Sequence, residues 1–219
     1  MNKIRSILAV TLASIFSLTL IACGNRTTES LEAQNTEEVT SEATDARTAE
    51  QVSSEDNSTA SGTIVVYFSA TGTTKGVAET IASVTNADIY EIVPAKPYTD
   101  EDLDYGDSNS RTSLEMNDES ARPEIAGETI SLDGYSTVYI GYPIWWGDAP
   151  RIMSTFVEAY NFDGKTVIPF CTSGRSEIGQ SGKHLASQAG SGNWLDGARL
   201  NGGASEADIQ SWIEGILKR

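Results

Sequence analysis

The chain has 219 residues, of which 15 are Lys or Arg and 31 are Asp or Glu, so its formal net charge is −16. At roughly 150 residues per domain, this length suits one domain with additional segments or two small domains. The negative charge argues against a nucleic-acid binder, which needs a basic face. Two cysteines cannot build a disulfide-rich scaffold, and a single histidine excludes sites that need two, such as the His-Glu-x-x-His zinc helix.

The first 22 residues have the composition of an export signal. Lys3 and Arg5 give a positive start, and residues 6–22 are uncharged and rich in Ile, Leu, Ala and Val. This run is short for a membrane-spanning helix and typical of a signal peptide. It ends in Leu-Ile-Ala before Cys23, which resembles a bacterial lipobox. We therefore expect cleavage before Cys23 and lipid on its thiol, which would anchor an exported protein to the extracytoplasmic side of a bacterial membrane. The alternative is an uncleaved anchor with a chance cysteine.

Residues 23–61 have a different composition. They contain nine acidic and two basic residues, and neither an aromatic residue nor a proline. Such a segment cannot bury enough apolar surface to offset its ordering entropy, so we predict a disordered acidic tether behind the lipidated cysteine. Residues 62–219 hold all four Trp and all six Pro, with 11 basic and 22 acidic residues. They are predicted to form the single folded domain.

Strands and helices alternate along this predicted domain. Runs of β-branched and aromatic residues predict strands at Thr63–Phe68, Ala87–Val93, Thr137–Tyr142, Thr166–Cys171 and Ala198–Asn201. Helical spacing of apolar residues predicts helices at Thr73–Ser83, after Asp148 as N-cap, at Ile178–Ala189 and after the capping pair Ser205 and Asp208. This order predicts an α/β fold with a doubly wound, five-stranded parallel sheet. Its ligand site is expected past the carboxyl ends of the strands.

Two features depart from this regular alternation. Pro169 lies inside the fourth predicted strand and removes a backbone donor, so pairing beside it must be interrupted or edge-like. Residues 94–130 form a long acidic insertion that we predict to be irregular.

The insertion contains the start of a calcium-loop pattern. Its first three acidic positions are Asp100, Asp102 and Asp104. The sixth and twelfth positions, where such a loop requires Gly and Glu, are Tyr105 and Arg111. We therefore predict no metal site here and interpret the acidic residues as a solvated loop.

The loop after the first strand, 69–74, has the features of a phosphate cradle. Gly72 permits a tight turn, and the following helix adds the positive end of its dipole. Four hydroxyl groups can donate to phosphate oxygens, those of Ser69, Thr71, Thr73 and Thr74. The alternative interpretation is a Ser/Thr-rich helix cap that binds no ligand.

Three loops, taken in order, resemble those of the flavodoxin family. Residues 69–74 resemble its phosphate loop, Thr/Ser-x-Thr-Gly-x-Thr, whereas 142–150 and 170–175 resemble its two isoalloxazine loops. The Pro-Ile-Trp-Trp-Gly run is similar to that of flavodoxin-like lipoproteins and reductases. The resemblance implies a flavodoxin-like sheet and a non-covalently bound FMN. The implied cofactor-binding residues are Ser69, Thr71, Gly72, Thr73, Thr74, Pro143, Ile144, Trp145, Trp146, Gly147, Thr172, Ser173 and Gly174.

Side-chain chemistry adds expectations about individual residues near these loops. Trp145 or Trp146 can stack on a flavin ring, because an indole face offers a large dispersion contact. Arg175, if it lies near the ring, would oppose the acidic charge that disfavours an anionic reduced flavin. We interpret His184 as a helix-surface residue and Cys171 as a buried thiol, and we predict no catalytic side chain.

Three functional classes remain open. The first is an electron carrier, whose redox partner is an unidentified protein or small acceptor. The second is an FMN-dependent NAD(P)H:quinone-type reductase, in which 94–130 would cover the flavin with Tyr98, Tyr105 and Arg111 as lining residues. The sequence shows no second phosphate or ribose motif, which favours the carrier. The third is a non-redox surface lipoprotein on the same scaffold.

Overall fold

The computed structural model describes residues 62–218. The predicted signal peptide, the lipidation site Cys23 and the predicted tether lie outside the described residues. The strands are β1 (Gly62–Tyr67), β2 (Asp88–Glu91), β3 (Tyr135–Pro143), β4 (Thr166–Thr172), β5 (Asn193–Trp194) and β6 (Ala198–Leu200). The helices are α1 (Thr73–Thr85), α2 (Arg111–Asn117), α3 (Arg151–Ala159), α4 (Ser181–Ala189) and α5 (Glu206–Leu217).

All strands belong to one parallel sheet. Its order is β2, β1, β3, β4 and then β5, and β6 pairs with β4 beyond the end of β5. β5 and β6 therefore share the fifth position, and the predicted doubly wound, five-stranded parallel sheet is confirmed. The chain turns in opposite directions from β1 to β2 and from β3 to β4. The switch point consequently lies at the carboxyl ends of β1 and β3.

Helices cover both faces of the sheet. Along β1, Ile64 and Val66 join a core with residues of α3 and α4, whereas Val65 and Tyr67 join a second core with residues of α1 and α5. Successive side chains of a strand point to opposite faces, so a strand buried on both faces is apolar throughout. This burial explains why the run that predicted β1 has no polar alternation.

Pro169 interrupts the fifth strand position as predicted. β5 ends opposite Val167 and β6 begins opposite Phe170, so the ladder is open beside Pro169. Leu195 N donates to Val167 O at 2.9 Å, so the backbone polar groups of Val167 face the fifth strand position. Pro169 is two residues further along β4, and its backbone nitrogen therefore faces the same side. The missing N–H of Pro169 therefore falls at the gap. A Cβ added to Gly197 would lie 2.3 Å from Pro169 O, so the connecting chain passes tightly over the proline.

Two local predictions were wrong. Pro150, not Asp148, is the N-cap of α3, and the Asp148 carboxylate instead accepts from Ala149 N at 2.9 Å and lies 3.1 Å from His184 Nδ1. The insertion is not wholly irregular, since Ser110 caps the short helix α2 and accepts a hydrogen bond from Ser113 N. Neither arrangement has a strong local signal, because one depends on a distant helix and the other on a seven-residue element.

Within residues 62–218, no helix has the length and apolar character needed to cross a membrane. Over the same residues, His, Cys, Asp and Glu form no group of three or more that could hold a metal ion.

Candidate functional site

A cavity of about 480 Å³ opens at the carboxyl ends of β1, β3 and β4. This volume falls within the usual range of small-molecule and cofactor pockets. Ten of the thirteen residues implied by the resemblance line it, and the exceptions are Gly72, Trp146 and Gly147. Three further lining residues were not in that set: Ala70, Tyr105 and Gly202. The three predicted loops therefore meet at one concave site.

The first loop leaves hydrogen-bonding groups without protein partners. Gly72 caps α1 with φ of 85° and provides no side-chain bond, so the first backbone N–H groups of α1 face outward without a side-chain cap. The hydroxyl oxygen of Ser69 is buried and has no hydrogen-bond partner. A buried polar atom without a partner is costly, so its presence at this cavity points to a ligand that satisfies it. An anion is the group that a helix N-terminus and hydroxyl donors bind best.

A buried hydrogen bond joins the first and third loops. The hydroxyl groups of Thr74 and Thr172 are 2.7 Å apart, and both side chains are buried. Thr74 stands on the first turn of α1 and Thr172 at the end of β4. This bond fixes the distance between the phosphate-type loop and the third loop before any ligand binds.

The second loop closes in a tight two-residue turn. Trp145 N donates to Asp148 O at 2.9 Å, and Asp148 N donates to Trp145 O at 3.0 Å. The central residues, Trp146 and Gly147, have φ of 47° and 82°, so both are left-handed. Trp145 is 1% exposed and Trp146 is 48% exposed. Of the two adjacent tryptophans, Trp146 therefore presents the accessible indole.

The third loop is shaped by hydrogen bonds around Ser173. Its hydroxyl accepts from Arg175 N at 3.3 Å and from Ser176 N at 2.9 Å. Arg199 donates to the Ser173 carbonyl at 3.2 Å. Arg175 itself is exposed and does not line the cavity. The sequence reading missed Arg199, since the contact that gives it a role joins residues 26 positions apart.

Gly202 brings a fourth loop to the cavity. A Cβ at this position would lie 2.4 Å from Cγ2 of Thr73, so the chain after β6 packs directly on the first loop. The Gly-Gly pair at 202–203 follows β6 after one residue, and a glycine near a strand end is a signal of close backbone approach. That signal was present in the sequence and was not used.

A family model described as flavodoxin matches residues 62–216. The chain belongs to the flavodoxin family. No curated protein sequence matches it significantly.

This flavodoxin-family chain is similar to solved structures of bacterial origin. A candidate flavoprotein from Bacteroides eggerthii is 45% identical with a TM-score of 0.68, over 72% of this chain and 98% of that chain. One from Bacteroides uniformis is 48% identical with a TM-score of 0.68, over 71% of this chain and 99% of that chain. A Lactobacillus acidophilus flavoprotein solved in complex with FMN is 22% identical with a TM-score of 0.53, over 70% and 99%. At that identity the likeness shows the shared fold.

The insertion of this flavodoxin domain contributes one wall of the cavity. Tyr105 lines it, whereas Tyr98 and Arg111 do not, so two of the three predicted lining residues were wrong. Tyr98 packs edge-on against Trp145, with ring centroids 5.2 Å apart, and the Arg111 guanidinium lies 4.0 Å over the Tyr98 ring. Glu115 accepts from both at 2.6 Å. Burial, and then the hydrogen bond to Glu115, raise the pKa of Tyr98, which stays protonated and anchors the insertion.

The cavity of the flavodoxin domain has an uncharged lining. Every residue that lines it is apolar, glycine, or a neutral Ser, Thr or Tyr. A phosphate held here would therefore be bound by hydroxyl and backbone donors, without the help of a basic side chain at the wall.

The buried thiol of the flavodoxin domain gives a pH-dependent prediction. Cys171 is fully buried in β4, and burial, followed by the charge of Glu177, raises the pKa of its thiol to about 12. In the unfolded chain a thiol titrates near pH 8.5, so at higher pH the unfolded state releases a proton that the folded state keeps. The contribution of the Cys171 thiol to the free energy of unfolding is therefore fully present below about pH 8.5 and is lost progressively as the pH rises toward 12.

We expect a Cys23→Ser chain, in which Cys171 is the remaining cysteine, to resist a thiol reagent at pH 8 until denaturant is added. Replacing Cys171 by Ala should make the loss of unfolding free energy above pH 8.5 shallower. Rapid modification of the native Cys23→Ser chain would contradict the burial of this thiol.

Proposed function

We propose that this protein binds FMN non-covalently in the cavity and acts as an electron carrier tethered to a bacterial membrane. The observation that carries the proposal is the set of donors without protein partners in the first loop. The buried hydroxyl of Ser69 has no hydrogen-bond partner and the start of α1 has no side-chain cap, so both can bind an anion. The family membership and the fold shared with the FMN complex from Lactobacillus acidophilus support FMN as the source of that anion.

The residues present fit this cofactor. The loop at 69–74 would hold the phosphate, and the second and third loops would hold the flat ring system beside Ile144 and Trp145. The uncharged, partly apolar lining suits an isoalloxazine ring, which has an apolar and a polar end. When bound, FMN supplies reversible one- and two-electron transfer, and the protein supplies its position and electrostatic surroundings.

The charge around the site favours a carrier over a reductase. A nicotinamide dinucleotide brings its own phosphates, and the hydroxyl-rich loop at 69–74 that lines the cavity would already hold the phosphate of FMN. The segment 62–219 also carries twice as many acidic as basic residues, which repels such a ligand. The redox partner would be a protein or a small acceptor. An FMN-dependent NAD(P)H:quinone-type reductase is the second candidate, supported by Tyr105, which walls the cavity where a planar acceptor could stack.

The membrane tether rests on the sequence before the described residues. The apolar run at 6–22 followed by Cys23 supports export and lipidation, which would hold the protein on the extracytoplasmic side. In the producing bacterium, the wild-type protein should fractionate with membranes and a Cys23→Ser variant should not. Equal membrane association of the wild type and the variant would contradict lipidation at Cys23 as the membrane anchor.

The proposed redox function is tested by absorption spectroscopy. The protein is incubated with excess FMN, desalted and scanned in the visible range. We expect retained flavin bands near one FMN per chain, and no bleaching when NADPH is then added without oxygen. Bleaching by NADPH would replace the carrier with the reductase. A colourless protein would eliminate both and leave the non-redox surface lipoprotein.

A further inference from the structure

Tyr105 holds an unusual position for a loop tyrosine. It lies in the acidic insertion between β2 and β3, yet its side chain forms part of the wall of the cavity at the strand ends. Its side chain is 56% exposed. A large aromatic ring that is half-exposed at a cofactor-sized cavity offers a face to whatever enters.

Trp146 of the second loop packs against Tyr105. The rings of Tyr105 and Trp146 have centroids 5.0 Å apart at 47°. Burial raises the pKa of the Tyr105 hydroxyl, which therefore stays protonated at neutral pH. The ring contact with Trp146 orients the Tyr105 side chain from the side of the second loop.

The loop around Tyr105 is itself fastened by hydrogen bonds. Gly106 N donates to Asp104 Oδ1 at 2.8 Å, and Thr112 donates to the Asp102 carbonyl at 2.7 Å. Ser113 Oγ donates to the carbonyl of Asp107 at 2.7 Å. These bonds connect the acidic loop to α2 on both sides of Tyr105. The wall is therefore preorganised and costs little conformational entropy on ligand binding.

Backbone strain at Trp146 supports a functional reason for this arrangement. A left-handed conformation is costly for a large residue, whereas glycine would adopt it freely. Trp146 also leaves 48% of its surface exposed, so core packing does not account for it. The contact that it does make is with the ring of Tyr105. Strain that is kept at the rim of a site indicates a role there.

The third loop lacks the aromatic side chain that could otherwise cover a ring. Its residues at the cavity are Thr172, Ser173 and Gly174. Trp145 is too buried to offer a free indole face. Among the cavity residues, this leaves Tyr105 as the aromatic side chain with substantial exposure.

We propose that Tyr105 covers the isoalloxazine ring of the bound flavin, so that the acidic insertion forms the outer wall of the cofactor site, and that Trp146 is the positioning residue for Tyr105. This inference rests on the proposed function. It assigns the insertion a direct role in cofactor affinity.

The test compares FMN with riboflavin, which has the same ring and no phosphate. Affinities of both are measured by fluorescence titration of the full-length protein and of Tyr105→Leu. A stacked aromatic contact is worth about tenfold in affinity. Tyr105→Leu should therefore weaken both ligands about tenfold and leave the ratio of their affinities unchanged. Tyr105→Phe keeps the ring and should stay close to wild type.

Leu114→Ala is the matched control. Leu114 belongs to the same insertion and is also 56% exposed, but it does not line the cavity. This variant should bind both flavins as the wild type does. Trp146→Gly should lower both affinities while the urea midpoint of unfolding stays the same or rises, because glycine relieves the left-handed strain. A purely structural role for Trp146 would lower the midpoint instead.

Unchanged affinities in Tyr105→Leu would overturn the inference, as would a change confined to the FMN-to-riboflavin ratio. Those results leave the proposed function intact, because it requires only that the wild type retain FMN. A wild-type protein that binds neither flavin would reject the proposed function, and the role of Tyr105 with it.

Discussion

Replacing Ser69 with alanine is expected to stabilise the flavin-free protein and to weaken its binding of FMN. The Ser69 hydroxyl is buried without a partner, and such a group costs about 1–3 kcal/mol. Removing it should raise the free energy of unfolding by about 1 kcal/mol, since part of the cost is replaced by a small void. A hydrogen bond to a charged phosphate is worth about 1.5–3 kcal/mol, so FMN affinity should fall about 10- to 100-fold.

Chemical denaturation without flavin and titration with FMN and riboflavin measure the two effects. Riboflavin affinity should not change, because riboflavin lacks the phosphate that the loop at 69–74 would hold. Ser181→Ala is the matched buried control. Its hydroxyl donates to the Ile178 carbonyl at 2.6 Å and lies 3.0 Å from the Tyr142 hydroxyl, so its loss should destabilise the protein without changing the FMN-to-riboflavin ratio. A destabilised Ser69→Ala with normal FMN affinity would show that this hydroxyl serves the fold.

Replacing Gly141 with alanine is expected to lower the free energy of unfolding by about 3 kcal/mol, at the upper end of the usual cost of overpacking a core. Gly141 pairs with Phe170 across β3 and β4. A Cβ on Gly141 would lie 2.1 Å from Cζ of Phe170 and 2.6 and 2.7 Å from its two Cε atoms. Phe170 is fully buried and packs against Trp212 of α5, with centroids 6.3 Å apart, so its ring has no space to move into.

The same change at Gly215 provides a control of opposite sign. Gly215 is exposed in α5 and nothing lies within 4 Å of an added Cβ. Alanine there should raise the free energy of unfolding by about 0.5–1 kcal/mol, because it loses less backbone entropy in a helix. Urea unfolding of both variants measures the difference. Equal stabilities of Gly141→Ala and the wild type would show that the Phe170 ring does not lie over Gly141.

The elements that sequence predicted best are those with a local physical cause. The unbroken apolar run that became β1 reflects burial on both faces of a parallel sheet, and that requirement is visible in any window of the chain. Pro169 predicted a gap because a missing N–H is a property of the residue itself. The loop at 69–74 was recognisable since its hydroxyls and Gly72 lie next to one another in sequence.

The elements that sequence did not predict depend on contacts between distant segments. Asp148 does not cap α3, and its carboxylate lies beside His184 of another helix, a contact that no local pattern indicates. Tyr98 and Arg111 belong to the same insertion as Tyr105, yet Tyr98 packs against Trp145 and Arg111 lies over Tyr98, so neither lines the cavity. Residue type alone left three candidate lining residues in the insertion, and the structure shows that one of them, Tyr105, lines the cavity.

The central claim is that the loop at 69–74 binds the phosphate of FMN. Parallel titrations of the full-length wild-type protein with FMN and with riboflavin test this claim most directly. Several charge-assisted hydrogen bonds from that loop should make FMN bind about a hundredfold or more tightly than riboflavin, at one FMN per chain. Equal affinities for the two flavins, or no binding of either, would contradict the assignment of the phosphate site.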